Sequence, residues 1–587
     1  MAHSRDAVHA ASERAGDWPS WPLPAITVEV AGYGVLILAG LALRLFMLGA
    51  WPLLESELPT ALAAWRALHG VRGQPPAYSP LLYDADLILF FFTRASDATA
   101  RLLPACAGAL LIAMPYFARR LLERVGAMAT AALLAGSPAW VYFSRTADGA
   151  ILTTLAGAVL LYSTHRFTLS GEPRDFRPGA VALGLGLAAG PGIYTLLVAA
   201  LGFGVCASLL GGSERRQRWA RLVRTAASRN NLLVFAGVFL LAASGFLTNP
   251  SGIWASVRMV AHWAVGLAPA RDALPWYATL HALLNTEFLT VGLALVGMGQ
   301  AFRRRQIFDA FLLFWFLIAL CLGVLLGHRE PYWLPDVLLP LVILAGRGAQ
   351  RLWERWLAGA TRQDGLALGL ALIPLGFAFL GLVSYLNPGA QALPLGVYAG
   401  WSLIVVVGCV YLLWSRPDAM PRLAIGILGV IALCLTVRAT TSIGYLAGRD
   451  PRQPLLEDPT SVQVREFESF VRLLSSRQIG DSYLLDMAYD ELLDPWLGWY
   501  LRDFPNAFPV SDVHELEPAL PVVVITRPLL ETEYPEGYVG QRFRLTETWS
   551  DAGLSLRERI AWFVYRRPAG AEDATELQVW TRIPGRE

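Results

Sequence analysis

Residues 26–51 read ITVEVAGYGVLILAGLALRLFMLGAW, with Glu29 and Arg44 as the charges among them. A run of that length and composition crosses a hydrocarbon core of about 30 Å as one helix. The polar stretch before it, through Pro24, is too long and mixed for the n-region of a cleaved signal, so the helix is expected to be retained.

Comparable runs recur outward from this one to about residue 441. The chain of 587 residues is 55% hydrophobic and 16% charged, with a mean hydropathy of +0.45, and such a chain needs lipid as its solvent. Its net charge of +2 conceals a segregation, because roughly half of the acids follow residue 449. No Lys occurs, which excludes Schiff-base chemistry and a phosphate-loop Lys. Nothing points to nucleic-acid binding. Cys106, Cys206, Cys321, Cys409 and Cys434 all fall in apolar runs without metal-type spacing and read as small buried hydrophobes.

Arg clusters set the orientation, since positively charged loops stay cytoplasmic. Arg119, Arg120 and Arg124, the six Arg between 215 and 229, Arg303 to Arg305, and Arg347, Arg351, Arg355 and Arg362 form four such loops. Spans then fit at 26–51, 101–118, 126–143, 150–167, 178–190, 191–211, 232–248, 286–302, 308–327, 333–348, 365–386, 395–414 and 420–441. That makes about thirteen, with the N-terminus inside and the C-terminus outside. The apolar stretch 87–92, bounded by Asp84, Asp86 and Arg94, is too short to span, so 57–69 and 81–93 are predicted as helices lying at the outer interface.

The expected fold is therefore an α-helical polytopic membrane protein with a C-terminal extracytoplasmic α/β domain: a cytoplasmic tail over 1–25, a transmembrane domain over 26–446 and a soluble domain over 447–587. In the last, PVVVITR, FRLTETW, AWFVYRR and LQVWTRI read as strands and SVQVREFESFVRLLSS as a helix.

Charged groups on the outer side are the candidates for chemistry. Glu55 and Glu57, just past the first helix, are two carboxylates at a membrane edge, where partial desolvation raises a pKa towards the range of a general base. Arg145 and Asp148 sit at the mouth between two spans. In the loop 327–332, His328 and Arg329 offer an imidazole beside a planar guanidinium, suited to a two-pronged grip on phosphate. Arg258 and His262, four apart, share one helical face and form a further phosphate or sugar candidate.

The stretches LRLFMLGAWPLLESELPTALAAWRALHG (43–70), PPAYSPLLYDADLILFF (75–91), ATARLLPACAGALLIAMPYFARRLL (98–122) and SPAWVYFSRTADGAILT (137–153) together resemble the GT-C membrane glycosyltransferases. The likeness is to their protein O-mannosyltransferase and aminoarabinose-transferase branch. FLTNPSGIWASVRMVAHW (246–263), GHREPYWLPDVLLPLVILAGRGA (327–349) and DPWLGWYLRDF (494–504) look like a prokaryotic, flippase-associated subfamily of it. The resemblance implies a GT-C fold and an inverting transferase that uses a polyprenyl-phosphate-linked sugar on the outer face of a bacterial or archaeal plasma membrane. Its acceptor would be a protein, lipid or glycan. No cofactor would be required, although carboxylates and phosphate leave room for a divalent metal. Where the family pattern reads Asp-Glu, this chain has Ser56 and Glu57, and where it commonly has Lys before Gly-Pro, this chain has Ala189. Glu57 or Glu55 would be the base, and Arg329, His328 and Arg145 would hold the departing phosphate. The alternative implied is a non-catalytic relative that binds or presents polyprenyl-linked glycans. An ion-coupled transporter fits less well, because mid-helix ionisable residues are few.

Overall fold

The computed structural model describes residues 27–71, 79–210, 212–268, 277–304, 306–325, 333–357, 361–386, 395–414, 420–456, 459–511, 523–528, 538–549, 554–565 and 572–582. Helix α1, Val28–Leu45, opens on the Thr27 hydroxyl, which accepts from the Val30 N–H at 3.3 Å. It is shorter than the predicted 26–51. Met47 adopts a left-handed φ of 51°, and the chain turns away there.

Two helices follow where interfacial ones were predicted: α2, Leu58–Leu68, and α3, Pro80–Phe92, the latter capped by Ser79. The predicted spans all fall on helices. Counting by length and composition, five described helices can each cross a membrane, or eight when each bent pair is one span. One predicted span, Arg177–Ala189, has 13 residues and reaches only about 20 Å.

The bends have local causes. Arg124–Gly136 and Pro138–Ser144 meet at 57°, because Pro138 lacks an N–H and holds Ser137 in the extended region. Ala278–Thr286 and Phe288–Arg304 meet at 100°. Glu287, at that second break, is fully buried and joins the two bends. Its carboxylate accepts from Ser137 Oγ at 2.6 Å, Ala139 N at 2.9 Å and Thr290 Oγ1 at 2.7 Å. Ionisable residues inside the helical body are thus present, contrary to the sequence reading, but serve as struts. Arg44 donates to the carbonyls of Gly40, Leu134 and Ala135, and buried Arg347 lies 3.3 Å from Asp309.

The C-terminal region forms a five-stranded sheet. Its strands are β1, Met487–Asp490; β2, Ala507–Val510; β3, Val523–Thr526; β4, Tyr538–Trp549; and β5, Glu572–Arg582. Their order is β2-β1-β3-β5-β4, with β1 parallel to β2 and β3, and β5 antiparallel to β3 and β4. The predicted helix appears as Gln463–Gln478. Of AWFVYRR, expected as a strand, the described residues 561–565 instead end the helix Leu556–Tyr565. A reciprocal cap explains this: Ser555 N donates to Glu558 Oε2 at 2.8 Å and Glu558 N to Ser555 Oγ at 3.4 Å.

The sheet region and the helices α2 and α3 share one apolar core. Leu58, Ala61, Leu62 and Phe90 lie among Phe467, Leu497, Trp499 and Ile525, all buried. Arg66 clamps Asp494 with two bonds of 3.1 and 2.7 Å. Cys106, Cys206, Cys409 and Cys434 are free and exposed on helix surfaces rather than buried in protein, and Cys321 is half-buried. For a lipid-facing helix, the bilayer supplies the apolar surroundings that the sequence implied.

Asp86 is fully buried, with buried Leu82 and Phe90 one turn to either side. Both of its carboxylate oxygens lack a hydrogen-bond partner among the described residues. Burial, and then the Glu57 charge, pushes this carboxyl well above the usual range. The native state therefore keeps a proton that the unfolded chain releases near pH 4, so stability falls as pH rises from there through the folded pKa. Asp86→Asn is expected to flatten that slope and to gain about 1–3 kcal/mol at pH 8. Parallel curves of melting temperature against pH for the two proteins would refute it.

Candidate functional site

The segment between α1 and α2 is held from several sides. Glu57, expected as a general base, has no exposed surface and faces donors only. Its carboxylate accepts from Arg101 Nε at 2.8 Å and Nη2 at 2.5 Å, Leu54 N at 2.7 Å, Ala147 N at 2.5 Å and Arg449 Nη2 at 3.5 Å. Burial alone would raise its pKa. The Arg101 guanidinium outweighs that, with Arg449 and the Leu54 N–H adding to it, and holds the carboxyl below its usual value. In this arrangement the Glu57 carboxylate is ionised and engaged by donors on both oxygens, which ties the loop down and leaves little acceptor capacity for a substrate proton.

Four remote segments meet at that anchor. Leu53 N also donates to Tyr500 Oη at 2.8 Å, and Arg449 Nη2 donates to Pro52 O at 2.6 Å. The sheet region and its linker thereby fix the backbone that presents Glu55 and Ser56.

Arg145, expected as a phosphate ligand, is likewise spent. Its Nη1 donates to the carbonyls of Leu43, Arg44 and Phe46 at 3.1, 3.0 and 2.6 Å, and its Nη2 to Met47 O at 3.0 Å. These carbonyls belong to the end of α1 and the turn after it; Leu43 O also accepts from Tyr445 Oη and Met47 O from Ala50 N, whereas those of Arg44 and Phe46 are held by Arg145. The guanidinium also lies 4.9 Å from the Tyr445 ring centroid. Arg145→Ala is expected to cost about 2–4 kcal/mol of stability, through carbonyls left unpaired, while polyprenyl-phosphate affinity per folded molecule stays unchanged. Loss of affinity with unaltered thermal stability would restore the phosphate role.

A cavity of about 560 Å³ opens beside this anchor. Its wall includes Glu55, Ser56, Asp148, His262, Trp263 and Asp336. Glu55 and Ser56 are exposed. Asp148 begins the turn into the helix Ala150–Ser170, and its Oδ1 accepts from Ala150 N at 2.9 Å. Burial pushes its carboxyl up to about 7, opposed by the Ala150 N–H and reinforced by the Glu57 charge. Close backbone contact places it there. A Cβ on Gly149 would lie 1.9 Å from Ala189 O, so only glycine lets the Asp148 turn meet the Gly190-Pro191-Gly192 turn.

His262 is on the cavity wall, whereas Arg258, one turn earlier on the same helix, Ser251–Gly266, is not among the lining residues. Arg258 is half-exposed, and its Nε and Nη2 are buried without a hydrogen-bond partner among the described residues. His328 and Arg329 lie outside the described residues. Sequence reasoning missed Asp336, in the first turn of the helix Leu334–Leu357. Its signal was a single acid opening an otherwise apolar run. Among the described residues, no group of three or more His, Cys, Asp or Glu is arranged to hold a metal ion.

A family model described as dolichyl-phosphate-mannose-protein mannosyltransferase matches residues 81–227. No curated protein sequence matches the chain. ArnT from Cupriavidus metallidurans in the apo state is similar in structure, with a TM-score of 0.55 and 15% identity over 85% of this chain and 93% of ArnT. The same protein bound to undecaprenyl phosphate gives 0.53 and 14%, over 94% and 97% of the two chains. At such identities the likeness is one of fold, and it extends over both the helical body and the sheet region. The chain is a multi-pass membrane protein with the GT-C fold that ArnT also adopts.

Proposed function

We propose that the protein is an inverting membrane glycosyltransferase that moves a sugar from a polyprenyl-phosphate donor to an acceptor hydroxyl on the extracytoplasmic face. The observation that carries this reading is the cavity whose wall presents the carboxyl groups of Glu55, Asp148 and Asp336, with that of Asp148 pushed up to about 7. Its setting in a fold shared with a protein solved with undecaprenyl phosphate supports a lipid-linked donor. Asp148 takes the proton from the acceptor hydroxyl. The hydroxyl oxygen attacks the anomeric carbon from the face opposite the leaving group, and the bond from that carbon to the phosphate oxygen breaks. The polyprenyl phosphate leaves with the bonding pair, and its charge is stabilised by His262 on the cavity wall and by Arg258 one turn earlier on the same helix, whose Nε and Nη2 have no hydrogen-bond partner among the described residues. Glu55 orients the acceptor.

The replacement of the family's acid by Ser56 and the engagement of Glu57 favour a second reading, a relative that binds and presents polyprenyl-linked glycans. Reconstitution with radiolabelled polyprenyl-phosphate sugars separates the two: the transferase consumes a donor, whereas the presenting relative binds it unchanged.

Orientation is proposed from the Arg distribution, with Glu55 and the sheet region outside and Arg304 inside. Cysteines introduced at Glu55 and Arg304 into a chain cleared of its native cysteines are expected to react with an impermeant thiol reagent in intact cells at 55 only. Labelling at 304 would invert the topology.

A further inference from the structure

Three helices bring a second polar group to the cavity that the chemistry above leaves unused. Asp336, from Leu334–Leu357, reaches the first turn of Gly192–Leu210, where its Oδ1 lies 2.7 Å from the position a Cβ on Gly192 would take. A side chain at position 192 would have to displace the carboxylate from this position. Thr195, fully buried one turn on, hydrogen-bonds the Asp336 carboxylate. Thr195 Oγ1 also accepts from Trp263 Nε1 at 3.4 Å, and Tyr194 meets the Trp263 ring edge-on with centroids 5.8 Å apart. Asp336 and Trp263 both line the cavity, and the buried hydroxyl between them fixes their relative placement.

The charge of this end selects its ligand. The cavity wall carries Glu55, Asp148 and Asp336, and among its described lining residues His262 is the one basic side chain. A phosphate beside Asp336 finds a carboxyl group and no guanidinium among the described lining residues. An uncharged ring with several hydroxyls meets strong acceptors, and its C–H face meets an indole.

We propose that Asp336, Thr195 and Trp263 form the subsite for the sugar ring of the lipid-linked donor, Asp336 accepting from ring hydroxyls and Trp263 lying against the apolar face of the ring. The assignment rests on the donor reading above and adds where the sugar sits. Asp336 and Trp263 touch the sugar, and Thr195 is a positioning residue. The phosphate then lies towards Arg258 and His262, away from Asp336.

Binding by the full chain in lipid nanodiscs tests this, using native mass spectrometry with undecaprenyl phosphate and a panel of undecaprenyl-phosphate-linked hexoses and pentoses. The wild-type protein is expected to bind at least one sugar-bearing lipid about tenfold more tightly than the bare lipid, as hydrogen bonds to a charged acceptor allow. Asp336→Asn should erase that tenfold preference and leave undecaprenyl phosphate binding unchanged, which also shows that the variant is folded. Thr195→Val should erode the preference and Thr195→Ser restore it, an outcome that a merely structural role would not produce. Equal loss of both lipids in Asp336→Asn, or no preference for any sugar by the wild-type protein, overturns the subsite. Failure of the wild-type protein to bind either lipid overturns the donor reading itself and the subsite with it.

Discussion

Arg101→Ala is expected to leave little folded protein, with a loss of about 3–5 kcal/mol. The substitution strands Glu57, which has no exposed surface, without its shortest contact of 2.5 Å, and Arg449 at 3.5 Å is a weak replacement. Glu57→Gln should also destabilise, because every neighbour of that carboxylate is a donor and an amide nitrogen turned towards them adds one more. The double substitution Arg101→Met with Glu57→Leu removes both charges and is expected to recover much of the loss, since a buried pair gains little over apolar groups of similar volume. Thermal unfolding in detergent, combined as a double-mutant cycle, measures the coupling. Additive losses would show that the pair does not hold the loop. Normal stability with abolished transfer in Glu57→Gln would return the catalytic role to Glu57.

Asp148→Asn is expected to lower turnover by about 10²–10⁴-fold while donor binding persists, the range a positioned general base supplies. A base must be ionised to act, and a carboxyl raised to about 7 is half-ionised there, so wild-type turnover should rise with pH up to about 7 and level off above it. The Asn variant should lose that limb. Glu55→Gln should produce a smaller fall and keep the pH profile, because it changes the acceptor's orientation and leaves the titrating group in place. Single-turnover rates from pH 5.5 to 8.5 decide the matter. A flat wild-type profile, or a larger fall in Glu55→Gln than in Asp148→Asn, would reverse the assignment.

Much of the architecture was legible in the chain. Hydrophobic run length located the apolar helices, because a helix satisfies its own backbone in an apolar setting. Charge bounded the two short helices between the first apolar runs, and helices appear at Leu58–Leu68 and Pro80–Phe92. Where alternation and capping disagreed, in SLRERIAWFVY, alternation was the weaker signal. The Ser555 and Glu558 cap made the helix, a local signal present in the sequence and outvoted by a run of aromatics.

The site was legible as a list of residues and not as a division of labour. The sequence marked the charged residues beside the apolar runs as candidates, because a charge in an apolar run is costly unless it is paired. It did not decide which are free to act. Glu55 and Glu57 are two residues apart and chemically alike, yet one is exposed on the cavity and the other sealed under Arg101 and Arg449, partners 44 and 392 residues away. Arg145 and Arg258 are one residue type, but the end of α1 consumes the first. Asp336 packs against Gly192, a neighbour 144 positions away in the sequence. Run length and charge are additive along a chain and can be read from it. Solvation and hydrogen-bond saturation depend on what other segments bring to the same few ångströms, and only the tertiary structure decides that.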